Sequence, residues 1–176
     1  QTNRRSFSRQ ACAEEIKILP DGSIPQVEMT SCGLNGGPLR GKGTYPATIA
    51  CVLRSRSGTM RGEVPLRGIH PYITQDGDDG EAEAYQHIAN FRRCAVCGFK
   101  YFSPDGAKEI SITLRGNGRG KIIVSDGANT LATVPVSPAE GWTDFGAPFK
   151  NPQGMFALYF MFLGDGAADI LSFELK

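Results

Sequence analysis

The sequence predicts an all-β protein whose main body is a β-sandwich, and three observations support this fold class. Short runs rich in β-branched and aromatic residues follow one another through residues 71–176, and turn signals containing Gly, Asn, Asp or Pro separate them. Within one run, Ile110, Ile112 and Leu114 alternate with polar residues. No segment after residue 60 repeats its apolar residues at the helical period. Strands of this length and spacing are typical of two packed antiparallel sheets.

The first predicted element is a β-hairpin within residues 1–40. A β-rich run leads to the turn sequence PDGS at residues 20–23, and a second β-rich run follows at residues 24–29. Cys12 and Cys32 lie nearly opposite each other across this hairpin, so its geometry permits a disulfide bond. Because a lone two-stranded hairpin is only marginally stable in water, we expect it to belong to a larger sheet.

Residues 41–70 are predicted to be a linker, since Gly and Arg are frequent there and turn signals are dense. The apolar stretch at 45–53 predicts a short helix or a tight coil, and residues 54–68 are polar. The sandwich occupies residues 71–176, with strands predicted at 84–88, 98–102, 109–115, 120–125, 130–135, 142–149, 155–163 and 169–175. The run 155–163 is apolar throughout, which predicts a central strand buried on both faces.

Composition and charge argue against two classes of partner. No apolar run reaches the roughly 20 residues that span a bilayer, so no membrane partner is predicted. Residues 1–70 carry ten Lys or Arg against five Asp or Glu, whereas residues 71–176 carry nine against thirteen. The basic side chains are scattered and are not interleaved with stacking aromatics, so no nucleic-acid partner is predicted. The charge asymmetry fits better with two parts that face each other or another module.

The five cysteines do not form a recognisable framework or metal site. Cys94 and Cys97 make a CxxC pair, but no second CxxC or His pair completes a zinc site. The strand-then-helix setting of a redox motif is also missing. These residues are therefore interpreted mainly as small, buried, apolar side chains.

No catalytic constellation is recognisable either. His70 and His87 are the two histidines, and no G-x-S-x-G elbow accompanies them. The sequence GNGRGK at 116–121 lacks the Ser or Thr of a P-loop and is predicted to be a hairpin turn. No Asp or Glu sits in a recognisable glycosidase setting. We therefore assign no catalytic residue to this chain.

The acidic stretch TQDGDDGEAEAY at residues 74–85 is a candidate calcium site. Its carboxylates could supply the oxygen ligands that calcium prefers, although the stretch does not match a calcium-binding helix–loop–helix. A solvated acidic loop explains the same residues equally well. A bound ion would need a further ligand from Asp165 or Asp169. The acidic residues concerned are Asp76, Asp78, Asp79, Glu81 and Glu83.

Aromatic side chains offer a candidate sugar-binding surface. Sugars are amphipathic, so proteins stack rings on their apolar faces and bond their hydroxyls with polar groups. Phe99 and Tyr101 share one face of the predicted strand 98–102, and Trp142 and Tyr159 are further candidates. The alternative for all four rings is that they fill the core.

Three segments of the sequence resemble known proteins. Residues 4–33, with the pattern R…C-x-E…DG-x-I-x-x-V-x-M-T, closely resemble the end of the catalytic domain in glycoside hydrolase family 43. That segment closes the last blade of a five-bladed β-propeller. Residues 36–53 resemble the segment that leaves the propeller. Residues 70–102 resemble the start of a jelly-roll-type β-sandwich that is similar to a family 6 carbohydrate-binding module.

The resemblance implies an accessory role within a longer enzyme. Family 43 enzymes cleave β-xylosidic or α-L-arabinofuranosidic bonds with carboxyl groups from earlier blades, and those blades are not in this sequence. The chain is therefore expected to be the C-terminal portion of such an enzyme, acting on xylan- or arabinan-type plant polysaccharide. Its expected partners are cell-wall polysaccharide or oligosaccharide and the propeller domain of the same parent protein. Two alternatives are one chain of a β-xylosidase/α-L-arabinofuranosidase whose catalytic residues lie on another polypeptide, and a structural module without ligand.

The resemblance also implies site residues. Family 6 modules hold a structural calcium ion with acids on the first and last strands, to which Asp76 and Asp169 correspond. The usual second acid of the last strand is Leu171 here, which departs from the pattern. Phe99 matches the ring that stacks on the sugar. The expected sites are thus calcium at Asp76 and Asp169, and sugar at Phe99, Tyr101 and Trp142.

Overall fold

Almost all regular structure in the chain is β-strand. A computed structural model describes residues 12–59, 69–78 and 84–176. Its elements are β1 (Leu39–Arg40), β2 (Gly43–Pro46), a 3₁₀ helix (Ala47–Ile49), β3 (Val52–Arg54), β4 (Tyr72–Thr74), β5 (His87–Arg92), β6 (Val96–Ser103), β7 (Glu109–Gly116), β8 (Arg119–Ser125), β9 (Thr130–Val136), β10 (Ala139–Pro148), β11 (Phe156–Asp165) and β12 (Ala167–Leu175). The predicted all-β fold class is confirmed.

The strands form two sheets that pack face to face. The first sheet has the order β1-β6-β11-β8-β9, with β3 also paired to β6. The second sheet has the order β10-β7-β12-β5-β4, with β2 also paired to β12. Among the described strands, β1 runs parallel to β6 and the remaining pairs are antiparallel. Neighbours that are distant in sequence lie side by side in both sheets, as a sandwich topology requires.

The core lies between the sheets and is rich in phenylalanine. Ile110, Ile112 and Leu114 of β7 point into it and are at most 1% exposed, as their alternation predicts. At its centre the ring of Phe173 lies 4.6 Å from that of Phe99 and 5.2 Å from that of Phe160, measured between centroids. Such tilted and edge-on ring pairs add to the stabilisation that comes from burying their apolar area.

Most predicted strands are present within a few residues of their expected ends, but the one at 84–88 was wrong. Tyr85 has φ 45°, which interrupts an extended backbone, so β5 begins only at His87 and continues to Arg92. The predicted central position of 155–163 is confirmed, because β11 lies between β6 and β8.

The segment 41–70, predicted to be a linker, contributes two short strands to the sandwich. Its strand β2 pairs with β12 of the second sheet, and β3 pairs with β6 of the first. A 3₁₀ helix lies between them, where a short helix was predicted. These strands have only three or four residues, which is too short for an alternating pattern of polar and apolar side chains to be recognised in the sequence. The rest of the predicted polar segment, residues 60–68, lies outside the described residues.

The predicted hairpin forms its turn but not its ladder. Gly22, with φ 81°, donates its amide to the Leu19 carbonyl at 2.8 Å, and Leu19 N–H reaches the Ser23 carbonyl at 2.9 Å. The two halves of the predicted hairpin also contact each other where Thr30 donates its amide to the Glu14 carboxylate at 2.6 Å. Within residues 12–38, however, no strand is formed. Among the described residues, no third strand pairs with either half of the hairpin, and apolar side chains such as those of Ile18 and Met29 remain exposed.

We call residues 12–38 the N-terminal arm. Cys12 and Cys32, on either side of its turn, are both free thiols, so the disulfide permitted by the hairpin geometry is not formed. The Cys32 sulfur instead lies 3.5 Å from the Lys100 carbonyl oxygen. In the part of the chain that the structure describes, no helix is long and apolar enough to cross a membrane.

Candidate functional site

The outer face of the second sheet carries a cluster of charged side chains around Arg115. The alternation of β7 that points its Ile and Leu residues inward turns Arg115 outward. Its Nη1 and Nη2 donate to the two carboxylate oxygens of Asp76 at 2.7 and 2.8 Å, which is the bidentate fork that guanidinium and carboxylate favour. Its Nε lies 3.4 Å from Oδ2 of Asp169. The hydrogen bond with Asp76 is the main cause that raises the pKa of Arg115 above its ordinary value.

The structure brings together the two acids predicted to hold calcium. Asp76 follows β4, and Asp169 lies on β12 directly opposite Arg115 in the register of the sheet. Asp169 also accepts the Asn90 amide at 3.1 Å and lies 3.7 Å from Nε2 of His87. The resemblance paired these two acids, but the sequence did not indicate that Arg115 would lie between them.

With Arg115 in place, these residues do not fit a calcium ion. Calcium takes six to eight oxygen ligands, whereas both carboxylate oxygens of Asp76 already accept hydrogen bonds from Arg115. Within residues 12–59, 69–78 and 84–176, no group of three His, Cys, Asp or Glu side chains could hold a metal ion. Asp165 lines a different groove, together with Arg92 and Arg93. The other predicted ligands Asp79, Glu81 and Glu83 lie outside the described residues.

Trp142, predicted to contact sugar, belongs to the same cluster. The guanidinium carbon of Arg115 lies 4.2 Å from the centre of its ring, a cation–π contact, and the His87 ring meets it edge-on at 5.3 Å. The ring is half-buried, and its Nε1 is buried with no hydrogen-bond acceptor among the described residues. Trp142 lies within a register shift of β10, between Ala139 and Thr143.

A groove of about 520 Å³ runs beside this cluster. Its polar lining comes from Arg115, Asn117, Glu140 and Asp169, and Gly116, Pro138 and Ala139 complete it. This mixture of charged groups, an amide and apolar surface is suited to hydroxyl-rich ligands. Trp142 does not line this groove, but its ring lies against Arg115, which does.

The prediction for Phe99 was wrong. Its ring is fully buried between the sheets, against Phe160 and Phe173, where a sugar has no access. The irregular pairing of β6 with β11 explains the error. Phe156 pairs with Phe102, but Leu158 pairs with Phe99, so two steps on one strand match three on the other. This shift turns both phenylalanines inward and ends the simple alternation that placed Phe99 and Tyr101 on one face.

Tyr101 is half-exposed, but the structure does not bring it near Trp142, because β6 and β10 belong to different sheets. Its hydroxyl donates to the carboxylate of Glu28 in the N-terminal arm. Lys100 forms an ion pair with the same carboxylate at 2.8 Å. The hydrogen bonds from Lys100 and Tyr101 lower the pKa of Glu28, and the hydrogen bond to Glu28 raises the pKa of the Tyr101 phenol. Tyr101 therefore has a structural role that its sequence position did not suggest.

The CxxC pair is part of the fold. Cys97 is fully buried on β6, and burial raises the pKa of its thiol. A thiol held neutral in this way is a poor nucleophile and a poor metal ligand. The interpretation of Cys97 as a small buried side chain is confirmed, and Cys94 is half-buried at the turn before β6.

The chain matches no family model, but it is similar to one curated protein over nearly its whole length. It is 46% identical over 179 aligned residues to a protein of Thermoclostridium stercorarium named xylosidase/arabinosidase. The match covers 99% of this chain and 38% of that protein, so the chain spans well under half of its relative's length. The predicted resemblance to a glycoside hydrolase of the xylosidase/arabinosidase type is confirmed.

Solved structures share the sandwich fold. A family 6 carbohydrate-binding module of Clostridium stercorarium, solved with cellobiose, superposes with a TM-score of 0.61 at 14% identity, covering 80% of this chain and 98% of the module. A family 43 arabinoxylan arabinofuranohydrolase of Bacillus subtilis, solved with cellotetraose, gives a TM-score of 0.59 at 15% identity and covers 93% of this chain and 33% of that enzyme. The described chain thus has the fold of family 6 modules. A family 36 module solved with calcium and xylotriose is a more remote match, with a TM-score of 0.50 at 10% identity over 76% of this chain and 99% of that module.

Proposed function

We propose that this chain is the accessory C-terminal portion of a family 43-like glycoside hydrolase that acts on xylan- or arabinan-type polysaccharide. The observation that carries the proposal is the 46% identity to a xylosidase/arabinosidase over 99% of the chain. The match leaves 62% of that relative's length outside the aligned part, which is room for a separate catalytic domain. The absence of any catalytic motif from this sequence agrees with that division of labour.

We propose that the N-terminal arm contacts the catalytic domain. The arm keeps its turn and one cross-arm contact between Glu14 and Thr30, yet it forms no ladder within residues 12–38. Its side chains of Ile16, Ile18, Ile24 and Met29 are more than half exposed. A β-rich segment with this many exposed apolar side chains is typical of an interface. The closing strands of a propeller blade would bury them and supply the missing strand partners.

We propose that the sandwich contacts polysaccharide through Trp142 and the groove beside it. Arg115 covers one part of the Trp142 ring, and the groove walls bring Asn117, Glu140 and Asp169 within reach of hydroxyl groups next to the ring. The exposed part of the half-buried Trp142 ring supplies the apolar surface on which a sugar ring stacks. Calcium is not required by this proposal, because the acids predicted to bind it are paired with Arg115.

Affinity electrophoresis on xylan, arabinoxylan and arabinan tests the sugar contact. We expect the wild-type chain to be retarded by at least one of the three, and the Trp142→Ala variant to lose most of the retardation. Met155→Ala is a matched control, since Met155 is an exposed apolar residue just before β11 and does not line the groove. Unaltered migration of the wild type on all three polymers would reject the sugar contact and favour the alternative of a structural module that binds only protein.

Mass spectrometry of the natural protein tests the other alternative, in which the catalytic residues lie on a separate polypeptide. The proposal expects these residues on the same polypeptide as the catalytic domain, or as a cleavage product of it. Recovery of the catalytic domain as an independently synthesised chain in complex with this one would instead support a two-chain enzyme.

A further inference from the structure

Arg115 contacts both Asp76 and Asp169 and supplies the positive charge that this acid pair needs. These carboxylates come from segments 93 positions apart and converge on the same guanidinium, at 2.7 and 3.4 Å. Two carboxylates that share a site repel each other unless a positive charge compensates them. Among the described residues, the fixed positive charge in contact with both is Arg115, and His87 is the neighbouring group that gains charge only when protonated.

The geometry of the guanidinium suits this position better than a metal ion does. Its planar fork places two N–H donors on Asp76 and leaves Nε for Asp169, so one side chain bonds both acids. A calcium ion would need several more oxygen ligands, and Leu171 offers hydrocarbon where the family pattern has an acid. A doubly charged ion next to the guanidinium would also be repelled by it. Calcium could therefore enter only by displacing Arg115.

Arg115 also links this acid pair to the aromatic ring. The guanidinium bonds Asp76 after β4 and Asp169 on β12, and its carbon lies 4.2 Å from the centre of the Trp142 ring on β10. A single side chain on β7 thus connects three other parts of the second sheet. At 26% side-chain exposure it is shielded enough for these bonds to outweigh those of a surface ion pair.

We infer that Arg115 is a built-in cation that takes the place of calcium in this module, neutralising Asp76 and Asp169 and holding Trp142 without any metal ion. The inference concerns the stability of the sandwich and the orientation of one ring. It does not depend on which polysaccharide, if any, the chain binds, so it can fail or succeed separately from the proposed function.

The wild-type chain provides the first test. Trp142 is the only tryptophan, so its fluorescence reports directly on the cluster during thermal unfolding. We expect the same Tm in excess EDTA and in millimolar CaCl₂, and no heat of binding when calcium is titrated in a calorimeter. A Tm that rises by several degrees in calcium and returns in EDTA would overturn the inference.

The variants Arg115→Ala and Arg115→Gln provide the second test. Without the guanidinium the two acids face each other uncompensated, so we expect Tm in EDTA to fall by about 3–6 °C. Calcium is then expected to restore part of the loss, and the double variant R115A/D76N is expected to lose that response. An Arg115→Ala chain as stable as wild type in EDTA would show that the guanidinium does not neutralise the pair.

The third variant, Arg115→Lys, separates charge from geometry. It keeps the positive charge but cannot form the bidentate fork, so we expect an intermediate Tm, no calcium response and a shifted Trp142 emission. This variant keeps the inference testable if Arg115→Ala does not fold. A calcium response of the lysine variant as large as that of the alanine variant would contradict the role assigned to charge.

Discussion

Tyr101 donates its hydroxyl to both carboxylate oxygens of Glu28, at 3.1 and 3.0 Å, although 73 residues separate them in the chain. Lys100 reaches the same carboxylate at 2.8 Å, and Ser31 accepts the Lys100 amide through its hydroxyl at 3.1 Å. These contacts fasten the N-terminal arm to the end of β6. The segment that resembles the last strands of a propeller is therefore held against the sandwich in this chain.

Replacing Glu28 should free the arm while leaving the sandwich intact. The variant Glu28→Gln removes the charge that holds Lys100 and weakens the acceptor for Tyr101, so we expect trypsin to cut after Lys17 several times faster than in wild type. The global Tm should change little, because the ion pair is exposed and such pairs contribute weakly. Limited proteolysis with mass spectrometry measures the cleavage site and its rate.

Glu15→Gln is the matched control for this prediction. Glu15 lies on the same arm, and the described residues offer it no ion pair or hydrogen bond to β6. Equal cleavage rates for Glu28→Gln and wild type would mean that the contacts to Lys100 and Tyr101 do not hold the arm.

Acidification should detach the arm through the same carboxylate. The contacts with Lys100 and Tyr101 lower the pKa of Glu28 from 4.5, so their stabilising contribution is fully present above that value and is lost as the pH falls through the lowered pKa. We expect amide hydrogen exchange within residues 12–38 to become faster over that interval, relative to exchange in the core strands. The Glu28→Gln variant should show fast exchange at every pH, and an equally steep acid response in that variant would assign the effect to other carboxyl groups.

The sequence is sufficient to predict the sandwich because its strands repeat a simple period. Ile110, Ile112 and Leu114 alternate with polar residues, and the burial that follows from this period is what the structure has. The orientation of Phe99, in contrast, does not follow from a simple alternation. A register shift between β6 and β11 changes which way the side chains point, and nothing local in the sequence marks the shift. Tyr85, with its positive φ, ended one predicted strand for a similar reason.

The site was predictable only in part. Asp76 and Asp169 were paired by a resemblance, and the structure does place them around one guanidinium. Arg115 itself looked like an ordinary outward residue of an alternating strand. Its role depends on the pairing of β7 with β12, which aligns Arg115 with Asp169 across the sheet. Contacts between strands that are distant in sequence are set by topology, and one sequence does not specify them.

Adding a methyl group at Gly98 should destabilise the first sheet. A Cβ atom there would lie 2.7 Å from the Tyr159 ring and 3.0 Å from the Val52 side chain, closer than real Cβ contacts allow. We expect Gly98→Ala to lower the free energy of unfolding by about 1–3 kcal/mol, the usual cost of overpacking. Chemical denaturation measures it. Gly141→Ala is the control, because a Cβ at that position meets nothing within 4 Å.

The cause of the Gly98 effect can be checked with a second substitution. If the clash with the ring is responsible, Tyr159→Ala in the Gly98→Ala background should recover part of the lost stability. A double variant whose loss equals the sum of the two single losses would place the cause elsewhere, since residues in contact are expected to couple.

Phe99 and Trp142 should give opposite results when stability and sugar binding are measured side by side. Phe99→Leu removes ring contacts with Phe160 and Phe173 from the core, so we expect a loss of about 1–2 kcal/mol in the free energy of unfolding and unchanged retention on polysaccharide gels. Trp142→Phe keeps an aromatic ring but reduces the area on which a sugar can stack, so we expect a smaller change in stability and weaker retention. A fully buried ring has no surface to offer a ligand. Retention that is weakened by Phe99→Leu but unchanged by Trp142→Phe would therefore contradict both the burial of Phe99 and the proposed sugar contact.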